Sequence, residues 1–385
     1  MRTNASVRAS WVVFCIPTIV VIVAALAAAQ SPSFTTITGT IGPGAQYEIA
    51  MPTGPWNGEL VVYAHGIVAP TDPVALPDIG PLREFLTSQG FALIYSSFSE
   101  NGYAVKDGMQ RTHQLRGIFV SKVGQPARVY AVGHSLGALI ALMLAERYPG
   151  QYDGALPACG LIGGGTAEVK YIGDARVLFD YFFPDVIPGT AFDIPPGIDF
   201  SPAGPTFAAV QAALVDGFAP PFATLQFAAT AHLQAAGAAE IVAAGLNVTG
   251  FAVTFTNNLI DLTHGHMPYD NTQTVYAGSA DDAALNAGVA RYASDPDAVN
   301  YLAHYYTPTG QLHVPVVTLR TSRDPVVPIF HEQLYAQIVQ DAGASQFLLQ
   351  RTVDRFGHCT FTDAETASAF LALVQWVHTG VKPAS

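Results

Sequence analysis

The sequence contains few charged residues, and fewer still that are cationic. Only 12% of the 385 residues are charged, with 17 lysines and arginines against 29 aspartates and glutamates, for a formal net charge of −12. Proteins that bind nucleic acid present a basic surface that neutralises phosphates and releases their counterions. This sequence has no basic stripe, and its composition therefore excludes a nucleic-acid-binding protein.

Cysteine is also scarce, and the abundant glycine shows no short repeat. The chain has 3 cysteines and 35 glycines, and the glycines do not recur at every third residue as a collagen-like helix requires. Half of the residues are hydrophobic, whereas chains that stay disordered are poor in hydrophobic residues. A chain of this length buries roughly three quarters of its surface on folding, so we predict a globular protein with a large core.

The first 29 residues have the composition of a targeting segment. Arg2 and Arg8 precede an apolar run, Trp11–Ala29, that ends in three alanines. This order is typical of a cleaved signal peptide, so we expect residues 1–29 to be removed and the protein to be secreted or periplasmic. The run is about as long as a bilayer-spanning helix, roughly 20 residues. A retained N-terminal membrane anchor is therefore the alternative, and membrane contact is expected only in that case.

Short apolar runs alternate with helical patterns over most of the remaining chain, which predicts a layered α/β sheet. The alternation breaks between residues 162 and 312, where Gly/Pro-rich loops and alanine-rich stretches replace it. This segment is too long for a plain loop, so we predict a largely helical cap at 162–312. The cap interrupts an α/β core formed by residues 30–161 and 313–385. Within the cap, alanine-rich stretches predict helices at 206–216 and 228–245.

The core is predicted to contain eight strands and at least three helices. The strands are predicted at Phe34–Ile41, Gln46–Met51, Glu59–Ala64, Phe91–Ser96, Arg128–Val132, Ala155–Cys159, Val314–Leu319 and Phe347–Thr352. The helices are predicted at Ala138–Arg147, after Pro328 and at Ala364–Thr379.

Between one predicted strand and the next helix lies the sequence Gly133-His134-Ser135-Leu136-Gly137. It matches G-x-S-x-G, the nucleophile elbow, in which a serine sits on a sharp strand-to-helix turn and small neighbours let the two elements approach closely. The motif alone is weak evidence, but its position after an apolar strand and before a helical run is the context it requires. We predict that Ser135 is a nucleophile rather than a structural turn serine.

A serine hydroxyl needs a base, and the base needs an acid, in the chain order Ser, Asp/Glu, His for this architecture. Asp324 follows the strand that resumes after the cap, and His358 follows the next strand. We therefore predict a Ser135–His358–Asp324 triad, although Asp324 could instead cap the following helix. The rival acids Asp354 and Asp363 lie too near His358 in the sequence to come from the neighbouring strand. His134 flanks the nucleophile but would point away from it.

The oxyanion formed in acyl transfer needs backbone N–H donors. One is expected from Leu136, which follows the nucleophile, and the second from the loop after an early strand, where His65-Gly66-Ile67 stands. We predict the N–H groups of Leu136 and Ile67 as donors, with His65 packing beneath the loop.

A metal site has little support in the sequence. His264-Gly265-His266 with Asp261 offers ligand types, but an H-x-H pair without further ligand spacing is weak evidence, and ordinary surface or cap histidines are the alternative. The predicted mechanism requires no metal and no organic cofactor.

Together, His65-Gly66, Gly133–Gly137, Asp324 and Gly357-His358 resemble the α/β-hydrolase superfamily in order and spacing. The resemblance covers the chain outside the signal peptide and the cap. It implies an eight-stranded, mostly parallel sheet with helices on both faces and a serine triad at the strand ends. The superfamily includes esterases, lipases, peptidases, thioesterases and acyltransferases, so the resemblance leaves the substrate open.

The pair His358-Cys359 also looks like the His-Cys ending of tannase and feruloyl-esterase relatives. In that pattern a disulfide ties the histidine loop to a cysteine directly before the serine, a position held here by His134. Cys159 lies instead at the end of the next strand, beside the elbow, so we expect a Cys159–Cys359 bridge. Two separate buried thiols are the alternative.

The sequence thus predicts an exported serine hydrolase that cleaves carboxylic esters through an acyl-enzyme, acting on a small-molecule or polymeric ester. A peptidase or acyltransferase on the same triad is the alternative within enzymes. A non-catalytic binding protein of the same fold is the alternative from another class.

Overall fold

The structure is a computed structural model that describes residues 34–384, so the signal peptide predicted at residues 1–29 lies outside the described residues. The described residues form eight strands, eleven α-helices and one short 3-10 helix at Ser345–Phe347. The strands are β1 (Phe34–Ile41), β2 (Ala45–Pro52), β3 (Glu59–Ala64), β4 (Ala92–Ser96), β5 (Arg128–His134), β6 (Gly154–Ala158), β7 (Val316–Arg323) and β8 (Leu348–Phe356). The helices are α1 (Leu82–Ser88), α2 (Val105–Lys122), α3 (Leu136–Arg147), α4 (Gly165–Phe182), α5 (Pro205–Asp216), α6 (Ala223–Thr230), α7 (Ala238–Leu262), α8 (Asp282–Gly288), α9 (Pro296–Tyr305), α10 (Phe330–Asp341) and α11 (Asp363–Thr379).

All eight strands belong to one sheet with the order β1-β2-β4-β3-β5-β6-β7-β8. β2 runs antiparallel to β1 and β4, and every other neighbouring pair is parallel. Helices cover both faces, so β3, β4 and β6 are buried along their whole length and read as continuous apolar runs. The chain has the α/β-hydrolase fold, which confirms the predicted fold class.

Two hydrophobic clusters lie on opposite faces of the sheet because successive side chains of a strand point to opposite sides. Val62 and Ala131 pack with α2 and α3 in the larger cluster, which continues into the helices between β6 and β7. Val61 and Val132 pack with α1 and α11 in the smaller cluster. The sheet therefore separates the two layers of helices.

Six helices, α4–α9, lie between β6 and β7, in the stretch predicted as a cap. Three buried rings, Phe179, Phe183 and Phe227, form an aromatic centre with ring centroids 4.9–6.2 Å apart. Side chains of α4 and α7 contact loops at the carboxyl ends of core strands. Tyr171 donates a hydrogen bond to Pro325 O after β7, and Asn258 accepts one from Tyr103 N after β4.

The predicted cap helix at 228–245 is wrong as a single element. α6 ends at Thr230 and α7 begins at Ala238, with a connection between them in which His232 has a φ of 53°. A residue in the left-handed region cannot continue a right-handed helix, and an alanine-rich composition does not reveal such a break. α4 was not predicted at all, because the glycines at 160–165 hide the start of a helix that has a regular interior.

Candidate active site

Ser135 lies in the turn between β5 and α3, with φ of 56° and ψ of −123°. This is an uncommon conformation for a residue with a side chain, and such residues concentrate at functional sites. Its N–H donates to Ala158 O at 3.0 Å, which ties the turn to β6. The flanking glycines are required by space. A Cβ on Gly133 would lie 2.1 Å from Gly137 O, and one on Gly137 would lie 2.1 Å from Ala64 O.

His358 and Asp324 reach this serine from the two strands beyond β6. His358 Nε2 lies 2.9 Å from Ser135 Oγ, and His358 Nδ1 lies 2.7 Å from Asp324 Oδ2. β7 and β8 are parallel neighbours, so the loops after them emerge at the same edge of the sheet. The structure brings together the three residues that the sequence placed in one triad.

The hydrogen bonds around Asp324 orient its carboxylate toward the imidazole of His358. Asp324 is fully buried, and its Oδ1 accepts from the N–H groups of Val326 and Val327, each at 2.9 Å. Its Oδ2 is therefore aimed at His358 and accepts a hydrogen bond from Nδ1–H. This leaves Nε2 as an acceptor for the Ser135 hydroxyl, the tautomer that a general base needs.

The other acids and histidines near the site in sequence lie elsewhere. Asp354 is exposed and contacts Ser322 and Arg323, while Asp363 stands in the first turn of α11. His134 lies on the opposite side of the turn, 5.7 Å from the Tyr63 ring. Burial lowers the pKa of His134 to about 4, so its imidazole is neutral at pH 7.

The loop after β3 runs beside the nucleophile. A Cβ built on Gly66 would lie 3.2 Å from Ser135 Cβ, so a larger residue here would press on the nucleophile. His65 is buried beneath the loop, stacked on Phe98 at 3.8 Å, and its Nδ1 donates to Gly66 O at 2.7 Å. Burial lowers the pKa of His65, which keeps the ring neutral. The geometry places Ile67 one residue beyond this approach to Ser135.

Leu136 is the first residue of α3. The N–H groups of the first helical turn have no partner within their own helix, which leaves them available to an anion. The two predicted oxyanion donors thus lie directly after Gly66 on one side and directly after Ser135 on the other.

A disulfide joins Cys159 to Cys359, with 5.4 Å between their Cα atoms. Cys159 follows β6, and its N–H donates to Leu319 O of β7 at 2.8 Å. Cys359 directly follows His358. The bridge therefore attaches the histidine loop to the strand end that also holds Ser135 through Ala158.

A buried polar network next to the site was not predicted from the sequence. His331 on α10 accepts at Nδ1 from Gly163 N at 3.1 Å, so its Nε2–H donates to Glu168 on α4 at 2.9 Å. Burial lowers the pKa of His331 and raises that of Glu168. Tyr171, one turn along α4, donates to the carbonyl of Pro325, next to Asp324. These residues are far apart in the sequence, and no local pattern marks them as partners.

In the sequence His264-Gly265-His266, His266 contacts acids other than Asp261, the acid expected from the sequence. His266 Nδ1 lies 2.7 Å from Asp295 Oδ2, and Asp297 is within 4.0 Å of Nε2, whereas Asp261 does not belong to this cluster. Asp295 also accepts from Asp297 N as the N-cap of α9. The group is half-exposed and has the arrangement of a helix cap with a histidine attached.

Comparison with solved structures finds similar chains among hydrolases. The Pyrococcus horikoshii acylaminoacyl peptidase is 8% identical with a TM-score of 0.46, and the match covers 92% of this chain and 43% of that chain. A Pyrococcus furiosus esterase is 11% identical with a TM-score of 0.44, and the match covers 91% and 92% of the two chains. This chain therefore spans less than half of the length of the peptidase.

No curated protein matches the sequence. Residues 37–290, which are more than half of the chain, match a family described as a tannase-like family of unknown function (DUF6351). The matched stretch includes the loop after β3, the nucleophile turn and most of the cap. The chain belongs to this tannase-like family.

Proposed function

We propose that this protein is a serine hydrolase that cleaves carboxylic esters. The observation that carries the proposal is the continuous hydrogen-bonded chain from buried Asp324 through His358 to Ser135, at 2.7 Å and 2.9 Å. A nucleophile within reach of a base, and a base oriented by an acid, are the parts that acyl transfer needs.

In this mechanism Ser135 Oγ attacks the ester carbonyl while His358 Nε2 takes its proton. His358 then gives that proton to the leaving alcohol, and Asp324 stabilises the imidazolium that forms in between. The N–H groups of Leu136 and Ile67 hold the oxyanion. A water molecule, deprotonated by the same imidazole, releases the acid and restores the serine.

Two observations favour an ester over other acyl substrates. The family to which the chain belongs is described as tannase-like. The cap is largely apolar and joins the carboxyl-end loops through Tyr171 and Asn258, which suits an uncharged ester bound beneath it. The substrate is a small-molecule or polymeric ester under this proposal.

We propose further that the protein works outside the cytoplasm. The Cys159–Cys359 disulfide is of a kind that persists in oxidising compartments. The order of basic, apolar and small residues in 1–29 supports the same placement.

The test is hydrolysis of p-nitrophenyl esters from acetate to palmitate by the protein and its Ser135→Ala variant. The variant is expected to lose at least about 10³-fold in kcat, while the exposed Ser88→Ala control keeps full activity. A fluorophosphonate should label the protein at Ser135 and leave the variant unlabelled. A folded protein that hydrolyses no ester would refute the proposal, and amide cleavage or acylation of an added alcohol would then identify a peptidase or an acyltransferase.

A further inference from the structure

A fully buried arginine in the cap leaves most of its hydrogen-bonding capacity unused. The Arg176 side chain on α4 is 0% exposed, and its Nε donates to Asp180 Oδ1 at 2.9 Å. Within residues 34–384, neither Nη1 nor Nη2 has a hydrogen-bond partner. A guanidinium is always charged, and four of its five N–H donors are on these two nitrogens. Burial of a charged group without hydrogen-bond partners costs free energy. We therefore expect a ligand that accepts hydrogen bonds from these donors.

The positive charge of Arg176 is only partly balanced. The carboxylate of Asp180 is 30% exposed, so water screens part of its charge. Among the described residues, those that line the cavity beside Arg176 include no aspartate or glutamate. An anion in this cavity would therefore lie beside the guanidinium, with no carboxylate among the described residues that line the cavity.

The cavity itself combines apolar walls with two hydroxyl-bearing side chains. Tyr103 and Thr256 line it together with Arg176, and apolar residues such as Phe192 and Leu259 complete the walls. Its volume is about 10 Å³, which is the space that a single water-sized particle needs. The cavity is therefore small, and the guanidinium beside it favours an anion.

We propose that this cavity binds one halide ion, chloride in ordinary media, held by the Nη atoms of Arg176. A halide ion balances the positive charge of the guanidinium and accepts hydrogen bonds from several N–H groups at once. The proposed site is separate from the Ser135 turn and does not depend on the reaction proposed above.

The expected consequence is a more stable cap. α4 carries both Arg176 and Tyr171, and Tyr171 holds the carbonyl of Pro325 beside Asp324. A halide bound to Arg176 fixes this helix against α7, which carries Thr256. A ligand that binds the folded state and not the unfolded state raises the melting temperature, by an amount that grows with the logarithm of its concentration above Kd.

The direct test uses crystals of the protein grown without halide and soaked in sodium bromide. An anomalous bromide peak next to the Nη atoms of Arg176 is the expected result. Density at that position without anomalous signal, as a water molecule would give, overturns the proposal. This measurement needs no substrate, so its outcome is independent of whether the protein is an esterase.

The solution test compares sodium chloride with sodium gluconate at constant ionic strength. Chloride is expected to raise the Tm by about 2–4 °C. Arg176→Met should abolish the rise, whereas Lys170→Met, which removes a half-exposed charge from the same helix, should keep it. A rise that persists in Arg176→Met, or one that formate produces and chloride does not, contradicts a halide site. If Arg176→Met does not fold, the bromide experiment on the wild type decides.

Discussion

Removal of the Cys159–Cys359 disulfide is expected to lower both stability and activity. The bridge joins residues 200 positions apart, so it closes a very large loop in the unfolded chain. The loop-entropy relation gives about 5 kcal/mol at 25 °C for a loop of this size. Measured values for disulfides are commonly smaller, and we expect a loss of about 3–5 kcal/mol in the free energy of unfolding for the double variant Cys159→Ala, Cys359→Ala.

The loss of activity has a separate cause. Cys359 directly follows His358, and Cys159 directly follows Ala158, whose carbonyl accepts the Ser135 N–H. Without the bridge, the histidine loop is no longer attached to the strand end that positions the nucleophile. A misplacement of about 1 Å can cost about 10²-fold in rate, so we expect kcat to fall roughly 10- to 100-fold with little change in KM.

Urea unfolding followed by tryptophan fluorescence measures the first effect, and ester hydrolysis at a temperature where the variant is folded measures the second. Dithiothreitol should lower the free energy of unfolding of the wild type and leave that of the double variant unchanged. This comparison controls for side effects of the substitutions. The reasoning is refuted if the double variant unfolds at the same urea concentration as the wild type. An unchanged kcat in a folded variant would refute the positioning role alone.

Three further predictions concern packing, cavity formation and pH. Gly66→Ala places a methyl group 3.2 Å from Ser135 Cβ and should lower kcat/KM at least about 10-fold in the ester assay, whereas the exposed Gly54→Ala should not, since nothing lies within 4 Å of its Cβ. Phe227→Ala opens a cavity in the fully buried aromatic centre of the cap and should cost about 3–5 kcal/mol in urea unfolding; a loss below about 1 kcal/mol would contradict this. Burial raises the pKa of Glu168 above 4.5, so the folded protein keeps a proton that the unfolded chain releases. Its contribution to stability is lost as pH rises above 4.5, and Glu168→Gln should reduce the decline of the urea midpoint measured from about pH 5 upward; an equal decline in both proteins over the whole range would contradict a raised pKa of Glu168.

The local patterns in the core were strong enough to predict its strands. β1 and β3 have the predicted bounds, because each is an apolar or β-branched run closed by glycine or histidine. β7 and β8 extend beyond the predicted runs into polar residues. Arg320 of β7 is fully buried and pairs with Glu332 on α10 at 3.1 Å, a contact that makes a charged residue acceptable inside a strand. No local pattern could predict that contact.

The candidate site likewise combines local features that the sequence predicts with contacts that no local pattern predicts. The G-x-S-x-G turn is a local structure, and the space around Gly133 and Gly137 explains why the motif was informative between a strand and a helix. The network of Glu168 and His331 was missed, because its two members come from different halves of the chain and neither lies in a motif.

The sequence by itself determined the order of the core strands, the turn that carries Ser135 and the positions of Asp324 and His358 after successive strands. These features depend on periodicity and on which residues each turn allows, and both are local properties. Only the tertiary structure decided that Cys159 lies beside Cys359, that Glu168 contacts His331 and that the Arg176 guanidinium is buried without partners for its Nη atoms within the described part of the chain. Such contacts depend on how separate segments pack, and packing follows from the whole chain at once.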